Sequence, residues 1–252
     1  MQIKFLGNWS SHLEAGKRNV SMIIDKKFVL DFGPHTLESL LENHIDPCSV
    51  NEVLISHMHL DHFGGIPEFL WYRTITHSRE PVTIIGPNGI KSATEKILEL
   101  YNTPFNGRFR VNSTFKESSG EKKPYDMKTE YIEKSKYDYI EAFKGNHIID
   151  DNIYRIEYKG TVITYSGDTA FTENAIKAAE DADVLFHEMT YADDNAETAA
   201  FWKHSTYSSA MNVFNESKAK MMIPVHLTTE TFNFLNARKN ERVRLPIADL
   251  EF

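Results

Sequence analysis

The stretch that most constrains this chain is Ile55 to Gly65, "ISHMHLDHFGG". It continues "NEVLIS", an apolar run of strand length, and places three histidines and an aspartate within six positions. A strand that is apolar on both faces is buried, and side chains just past its end are delivered to a sheet edge. Along extended backbone side chains alternate, so His57 and His59 point the same way and can chelate one ion. Asp61 and His62 fall on the next turn of chain and can hold a second. Imidazoles and carboxylates without thiolates suit zinc, manganese or iron(II). The single cysteine, Cys48, forms no intramolecular disulfide or cysteine knuckle and reads as a small hydrophobe.

Two ions about 3.5–4 Å apart need further ligands and usually a bridge. Three later strand ends offer them: His147 after "YIEAFKGN", Asp168 closing "VITYSGD" and His226 closing "KMMIPVH". Each alone reads more readily as a capping carboxylate or a surface histidine. Together with the first cluster they complete two four-ligand sets.

Around these tips the chain alternates. Strands are expected at Ile3 to Gly7, Val20 to Asp25 and Lys27 to Gly33, with a hairpin connection at Asp25-Lys26-Lys27. "HTLESLLENH" reads as a helix with Leu37, Leu40 and Leu41 on its apolar side. Strands and helices then alternate through "IPEFLWYRTI", "PVTIIG" and "NGIKSATEKILELY". "RFRVNSTF" has strand-like alternation and "KESSGEKKP" reads as an exposed loop, with residues 116–123 a candidate lid. The second half repeats the scheme: "DYIEAFKG", "NIYRIEYKG" and "TVITYSGD" as strands with a Lys159-Gly160 turn, a helix, "DVLFHE", a helix and "KMMIPVHL". Such blocks fit two sheets packed with helices outside, as one domain over 1–252.

With 41% hydrophobic and 25% charged residues the chain can build a core. Its 36 acidic against 28 basic side chains, a net charge of −8, argue against a surface coated in phosphate contacts. The basic residues at Arg108, Arg110, Lys122, Lys123 and Arg238 to Arg244 read as solvated faces. No secretory signal or spanning apolar run is seen, so a cytoplasmic setting without membrane partners is expected.

The pattern H-x-H-x-D-H with a downstream histidine, "SGDT" and a terminal "VH" resembles the metallo-β-lactamase superfamily from Met1 to about Thr228. That resemblance implies an α/β fold, a four-layer αββα sandwich of two mixed sheets flanked by helices. It also implies two divalent ions, zinc first and manganese or iron(II) as alternatives. His57, His59 and His147 would hold the first ion, Asp61, His62 and His226 the second, and Asp168 would bridge them. Such a pair makes hydroxide available near neutral pH and polarises a phosphoryl or carbonyl oxygen, with Asp61 orienting the attacking group.

"FHEMTY" and "HSTYSSA" further resemble elements of ribonuclease Z and its phosphodiesterase relatives. By that resemblance Glu188 holds a charged His204, and His204 protonates the leaving oxygen. His187 is expected to be structural, and so is Asp31 in "VLDFG". Ser205 or Thr206 can serve at the same time as a helix N-cap. "DFG" also matches a kinase motif, but no glycine-rich loop, catalytic lysine or H-R-D accompanies it, and that reading is rejected.

Bacterial ribonuclease Z carries a transfer-RNA-gripping arm between the ligands matching His147 and Asp168. Here only 20 residues lie between them, filled by one hairpin. The expected activity is therefore a metal-dependent phosphodiesterase on a small or cyclic substrate. Transfer RNA 3′-end cleavage, or hydrolysis of a lactone, ester or thioester, stays open as an alternative. RNA is a second candidate partner, and a homodimer is expected by analogy. His12 lies in a turn that could face the site but its spacing carries no ligand signal, His35, His44 and His77 are expected at the surface and Trp9, Trp71 and Trp202 mostly in the core, while Phe201-Trp202 could line a substrate mouth.

Overall fold

The computed structural model describes residues 1–102, 113–118, 125–126 (backbone only), 139–238 and 240–252. Arg108, Arg110, Lys122, Lys123 and the 119–123 part of the lid expectation lie outside them. The chain divides into two compact units, Gln2–Ser118 with Asp249–Glu251, and Ser119–Ala248 with the two terminal residues.

The first unit is built on a mixed sheet. Its strands are β1 (Gln2–Gly7), β2 (Ser21–Ile24), β3 (Phe28–Leu30), β4 (Glu52–Leu54), β5 (Val82–Pro87), β6 (Ser113–Ser118) and β13 (Leu250–Glu251), in the order β13-β1-β2-β3-β4-β5-β6. β13, β1, β2 and β3 pair antiparallel, and β3 through β6 are parallel. The β2–β3 turn places Asp25 and Lys26 at φ 47° and 59°, the left-handed sense that matches strand twist in tight hairpins. Helices α1 (Thr36–Glu42), α3 (Ile66–Ile75) and α4 (Ile90–Leu100) flank the sheet, and a short helical turn, α2 (Leu60–Phe63), follows β4. Their apolar residues and those of the strands form one core, including Val29, Val53 and Ile84 with Leu40, Phe69 and Leu98. Phe32 and Phe69 pack ring to ring at 4.7 Å. Arg73 is buried but satisfied, donating to the carbonyls of Pro47, Val50 and Glu80.

Several expectations change here. Leu41 is 46% exposed, and the fourth buried position of α1 is Ser39, whose hydroxyl donates to the Leu6 carbonyl and accepts from Arg18. Lys116 to Ser118 end β6 rather than begin a loop, because β6 pairs with β5 over its whole length. The tryptophans are not core residues. Trp71 and Trp202 are 39% and 47% exposed, and half-buried Trp9 carries the Lys17 ammonium 3.7 Å over its ring.

Glu52, on β4 beside Phe28 and Thr83, is a fully buried carboxyl. Burial pushes it up to about 7, with Lys116 opposing. The folded state therefore binds this proton more tightly than the unfolded chain. The associated stability is complete below about pH 4.5 and is lost as the pH rises through about 7. Glu52→Gln should melt above the wild type at pH 8, by the equivalent of roughly 3 kcal/mol, and close to it at pH 5. Parallel melting-temperature profiles for the two proteins would exclude this.

The second unit has the strands β7 (Tyr125–Asp126), β8 (Tyr139–Lys144), β9 (Asn152–Tyr158), β10 (Thr161–Tyr165), β11 (Val184–Glu188) and β12 (Met222–Val225). They run in the order β12-β11-β10-β9-β8-β7, parallel from β10 to β12 and antiparallel from β7 to β10. The β9–β10 hairpin turns on Lys159 and Gly160 at φ 50° and 76°. Helices α5 (Glu173–Ala178) and α7 (Tyr207–Ser217) bury Ala175, Ala178, Val213 and Phe214. Arg155 and Thr164 donate to the Ala178 carbonyl at the end of α5. Of two further helices, α6 (Ala196–Trp202) buries only Ala199 and α8 (Thr229–Asn236) only Thr231 and Leu235.

Each unit thus has a mixed sheet with flanking helices, and in each the parallel strands end on one edge. No helix among the described residues is long and apolar enough to cross a membrane.

Candidate active site

At the edge of the first unit, β4 runs into His57. Leu60 begins α2, with His59 in extended conformation at its N-cap. The period-two expectation holds there: His57 Nε2 and His59 Nδ1 lie 2.9 Å apart. His62 Nε2 is 3.5 Å from Asp61 Oδ2. Ligand atoms on one ion with bonds of about 2.0–2.2 Å fall roughly 2.8–3.6 Å apart, so both pairs have chelating separations.

What fixes this turn is the neighbouring parallel strand. Asp31, just past β3, is fully buried at φ 52°. Its carboxylate accepts from Ser56 N at 2.6 Å, Ser56 Oγ at 2.8 Å and His62 Nδ1 at 2.6 Å. Ser56 Oγ, having given its proton to Asp31, accepts from His57 Nδ1 at 2.9 Å. The backbones then lock. Phe32 N donates to the His62 carbonyl and Gly65 N to the Phe32 carbonyl. A Cβ on Gly33 would sit 2.0 Å from the Asp61 carbonyl oxygen, so only glycine permits this approach. That is the physical role of "DFG" here.

In the second unit β8, β10, β11 and β12 all end on one edge. Glu188 closes β11, and His147, Asp168 and His226 sit past the ends of β8, β10 and β12, all four buried. Asp168 Oδ2 is 3.4 Å from His226 Nε2, again a chelating separation, and Asp168, His204 and His226 present donor atoms within 4.8 Å of one another. His226 is held left-handed at φ 55°, a conformation that concentrates at functional positions. His147 Nδ1 donates to the Lys203 carbonyl at 3.1 Å. Asp151 Oδ1 accepts from Asp168 N at 3.3 Å.

The Glu188 carboxylate is surrounded by donors. Oε1 accepts from Thr169 N at 3.1 Å, Ser205 N at 2.9 Å and His204 Nδ1 at 2.9 Å. Oε2 accepts from Thr190 N at 3.1 Å and Thr190 Oγ1 at 2.9 Å. Burial alone would raise this carboxyl, but the His204 ring outweighs it and holds the group below the usual carboxylate range. Glu188 is thus an acceptor only, and His204 keeps its proton on Nδ1. His187 points to the opposite face of β11, donates from Nδ1 to the Glu188 carbonyl at 2.7 Å and is held neutral by burial. Thr206 caps α7 in a capping box with Ser209.

One regularity emerges. His57, His62, His147 and His226 each have Nδ1 engaged by an oxygen, leaving Nε2 as the donor atom, the arrangement outer partners impose on metal-binding histidines. The sequence did not single out Ser56, Asp151 or Thr190 among these partners. His12, His35, His44 and His77 are exposed. Phe201 is 73% exposed on α6, beside Trp202. In the basic run, Arg238 stacks on Phe234 at 3.5 Å and Arg242 lies over Phe214 and donates to the Ala219 and Lys220 carbonyls. Those two guanidiniums serve the fold.

Ribonuclease BN of Proteus mirabilis is 28% identical over 274 residues, covering 91% of this chain and 90% of that protein. Ribonuclease Z of Streptococcus agalactiae is 29% identical over 277 residues, covering 90% and 89%. Among solved structures, the short form of human tRNase Z superposes with a TM-score of 0.76 at 21% identity, over 92% of this chain and 94% of that one. The metallo-β-lactamase fold protein YhfI from Bacillus subtilis gives 0.74 at 16% identity, over 97% and 95%. The fold is therefore that of the metallo-β-lactamases, as the ligand pattern implied. A family model described as anti-Pycsar protein Apyc1 matches residues 1–243, and the chain belongs to that family.

Proposed function

We propose that this protein is a binuclear metal-dependent phosphodiesterase whose residues 1–252 work as one domain. His57, His59 and His147 are assigned to one ion, Asp61, His62 and His226 to the other, and Asp168 to both. The donor set fits: nitrogen and carboxylate ligands in pairs 2.9–3.5 Å apart, with outer partners on the rings. When bound, two such ions supply Lewis acidity and make water ionisable near neutral pH. Asp61 orients the attacking group.

The observation that carries the phosphodiester assignment is the Glu188–His204 pair, 2.9 Å apart. An alkoxide leaving a phosphodiester needs a proton, and a thioester or activated aryl ester, whose leaving group is stable as an anion, needs one much less. Glu188 stays anionic, so it stabilises the charged ring, and His204 delivers the proton from Nε2. The substrate is a small or cyclic phosphodiester. Between His147 and Asp168 the chain forms only the β9–β10 hairpin, with no room for an arm that grips transfer RNA. The names of the curated relatives, ribonucleases Z and BN, keep RNA as the second candidate. A homodimer in the cytoplasm completes the proposal.

Metal analysis combined with a substrate panel tests it. The protein should take up two equivalents of zinc or manganese and hydrolyse bis(p-nitrophenyl) phosphate. Chelation should abolish the turnover, and lactones should react far more slowly. Absence of metal uptake, or lactones outpacing every phosphodiester, would overturn the assignment.

A further inference from the structure

Glu188 and His226 lie at the ends of different strands and have different proposed tasks, yet one side chain touches both. Thr190, two residues past the end of β11, is 5% exposed. Its Oγ1 is 2.7 Å from His226 Nδ1 and 2.9 Å from Glu188 Oε2, and the His226 carbonyl lies further off at 3.3 Å. A hydroxyl has one proton to give. Glu188 already accepts from the backbone N–H groups of Thr169, Ser205 and Thr190, so its carboxylate is surrounded by donors and has none to offer. The Thr190 proton therefore goes to Glu188 Oε2. With that proton committed, Oγ1 meets His226 as an acceptor, and the proton between them belongs to His226 Nδ1. His226 therefore carries a proton on Nδ1, and its Nε2 faces Asp168 at 3.4 Å.

We propose that Thr190 is a positioning residue that ties the proton-donor pair to the metal-ligating edge: one hydroxyl sets the tautomer of His226 and completes the donor cage of Glu188. The inference rests on the ligand and dyad assignment above. Ser56 supports the logic from the first unit, because its hydroxyl donates to Asp31 and accepts from His57 Nδ1 in the same sense. Two independent hydroxyls in this serine-or-threonine relay argue that the device is built, since each has a carboxylate on one side and a ligand histidine on the other.

The test compares Thr190→Val, which keeps the shape and removes the hydroxyl, with Thr190→Ser, which keeps the hydroxyl. The first readout uses metal-free protein at pH 8: nitrogen-15 ring spectra of His226, assigned through His226→Gln. Wild type and Thr190→Ser should show the single Nδ1–H tautomer, and Thr190→Val a mixture. The second is zinc titration, where Thr190→Val should lose about 10–100-fold in affinity for one of two equivalents and Thr190→Ser should recover it. If Thr190→Val does not fold, Thr190→Ala takes its place with the same readouts. A Thr190→Val protein with wild-type ring spectra and zinc affinity would overturn the inference, and so would a Thr190→Ser protein as impaired as Thr190→Val. Wild type that binds no zinc would overturn the metal assignment, while the metal-free spectra would still decide the role of Thr190.

Discussion

Replacing His204 with alanine should slow hydrolysis of an alkyl phosphodiester by about 10²–10⁴-fold, the usual contribution of a positioned proton donor. A p-nitrophenyl diester, whose leaving group is stable as an anion, should lose considerably less. The difference between the two substrates is the diagnostic quantity, because a general structural defect would slow both alike. The geometry supports the assignment from both sides of the ring. Nδ1 is fastened to Glu188 Oε1 at 2.9 Å, and the ring stacks on His226 at an interplanar angle of 14°. The backbone on either side is fixed as well: His204 N donates to the Ala199 carbonyl, and Ser205 N donates to Glu188. The same measurement addresses a competing role. His204, Asp168 and His226 bring donor atoms together closely enough for a metal site of their own. If His204 were a ligand, alanine would lower the zinc stoichiometry. If it is the proton donor, two equivalents remain bound and only turnover falls. Equal slowing of both substrates together with lost zinc would remove the proton-donor role.

The parts of this arrangement that could be read in the sequence are those written as contrast. An apolar run followed at once by His57, Asp168 or His226 marks a buried strand feeding an edge, and the parallel pairing of β3 with β4, of β10 with β11 and of β11 with β12 brings those ends together within each unit. Mixed sheets with flanking helices follow from the same alternation. What escaped detection uses ordinary residues or backbone atoms. The Lys203 carbonyl that holds His147 has no sequence signature, and Ser56 and Thr190 look like any polar residue beside a motif. Leu41 and Trp71 misled for a different reason: short helices have room on their solvent side for large apolar groups, and residue type alone does not select the face. α6 buries only Ala199 and α8 only Thr231 and Leu235, so little in their sequence marks them, and α8 is held in addition by the Thr228–Thr231 capping box.

The effect on stability should be largest at Asp31. Asp31→Asn changes no volume, and asparagine tolerates the left-handed φ of 52° found there, so neither packing nor backbone accounts for the expected loss. The loss comes from hydrogen bonding. Ser56 N, Ser56 Oγ and His62 Nδ1 all donate to the carboxylate. An asparagine amide has a single acceptor atom and must direct its NH₂ at one of these donors whichever way it is turned. In a fully buried site that leaves a donor without an acceptor, and the destabilisation should be roughly 3–5 kcal/mol, as when a buried ion pair loses one partner. Because the same carboxylate orients His62 directly and His57 through Ser56, zinc affinity should fall by about 10–100-fold as well. Ser56→Ala removes only the hydroxyl link, so it should weaken zinc binding with a smaller loss of stability. Thermal denaturation in excess chelator separates the two contributions, since no metal then props up the folded state. An Asp31→Asn protein that melts with the wild type under chelation would show that the buried carboxylate does not organise the His57–His62 turn.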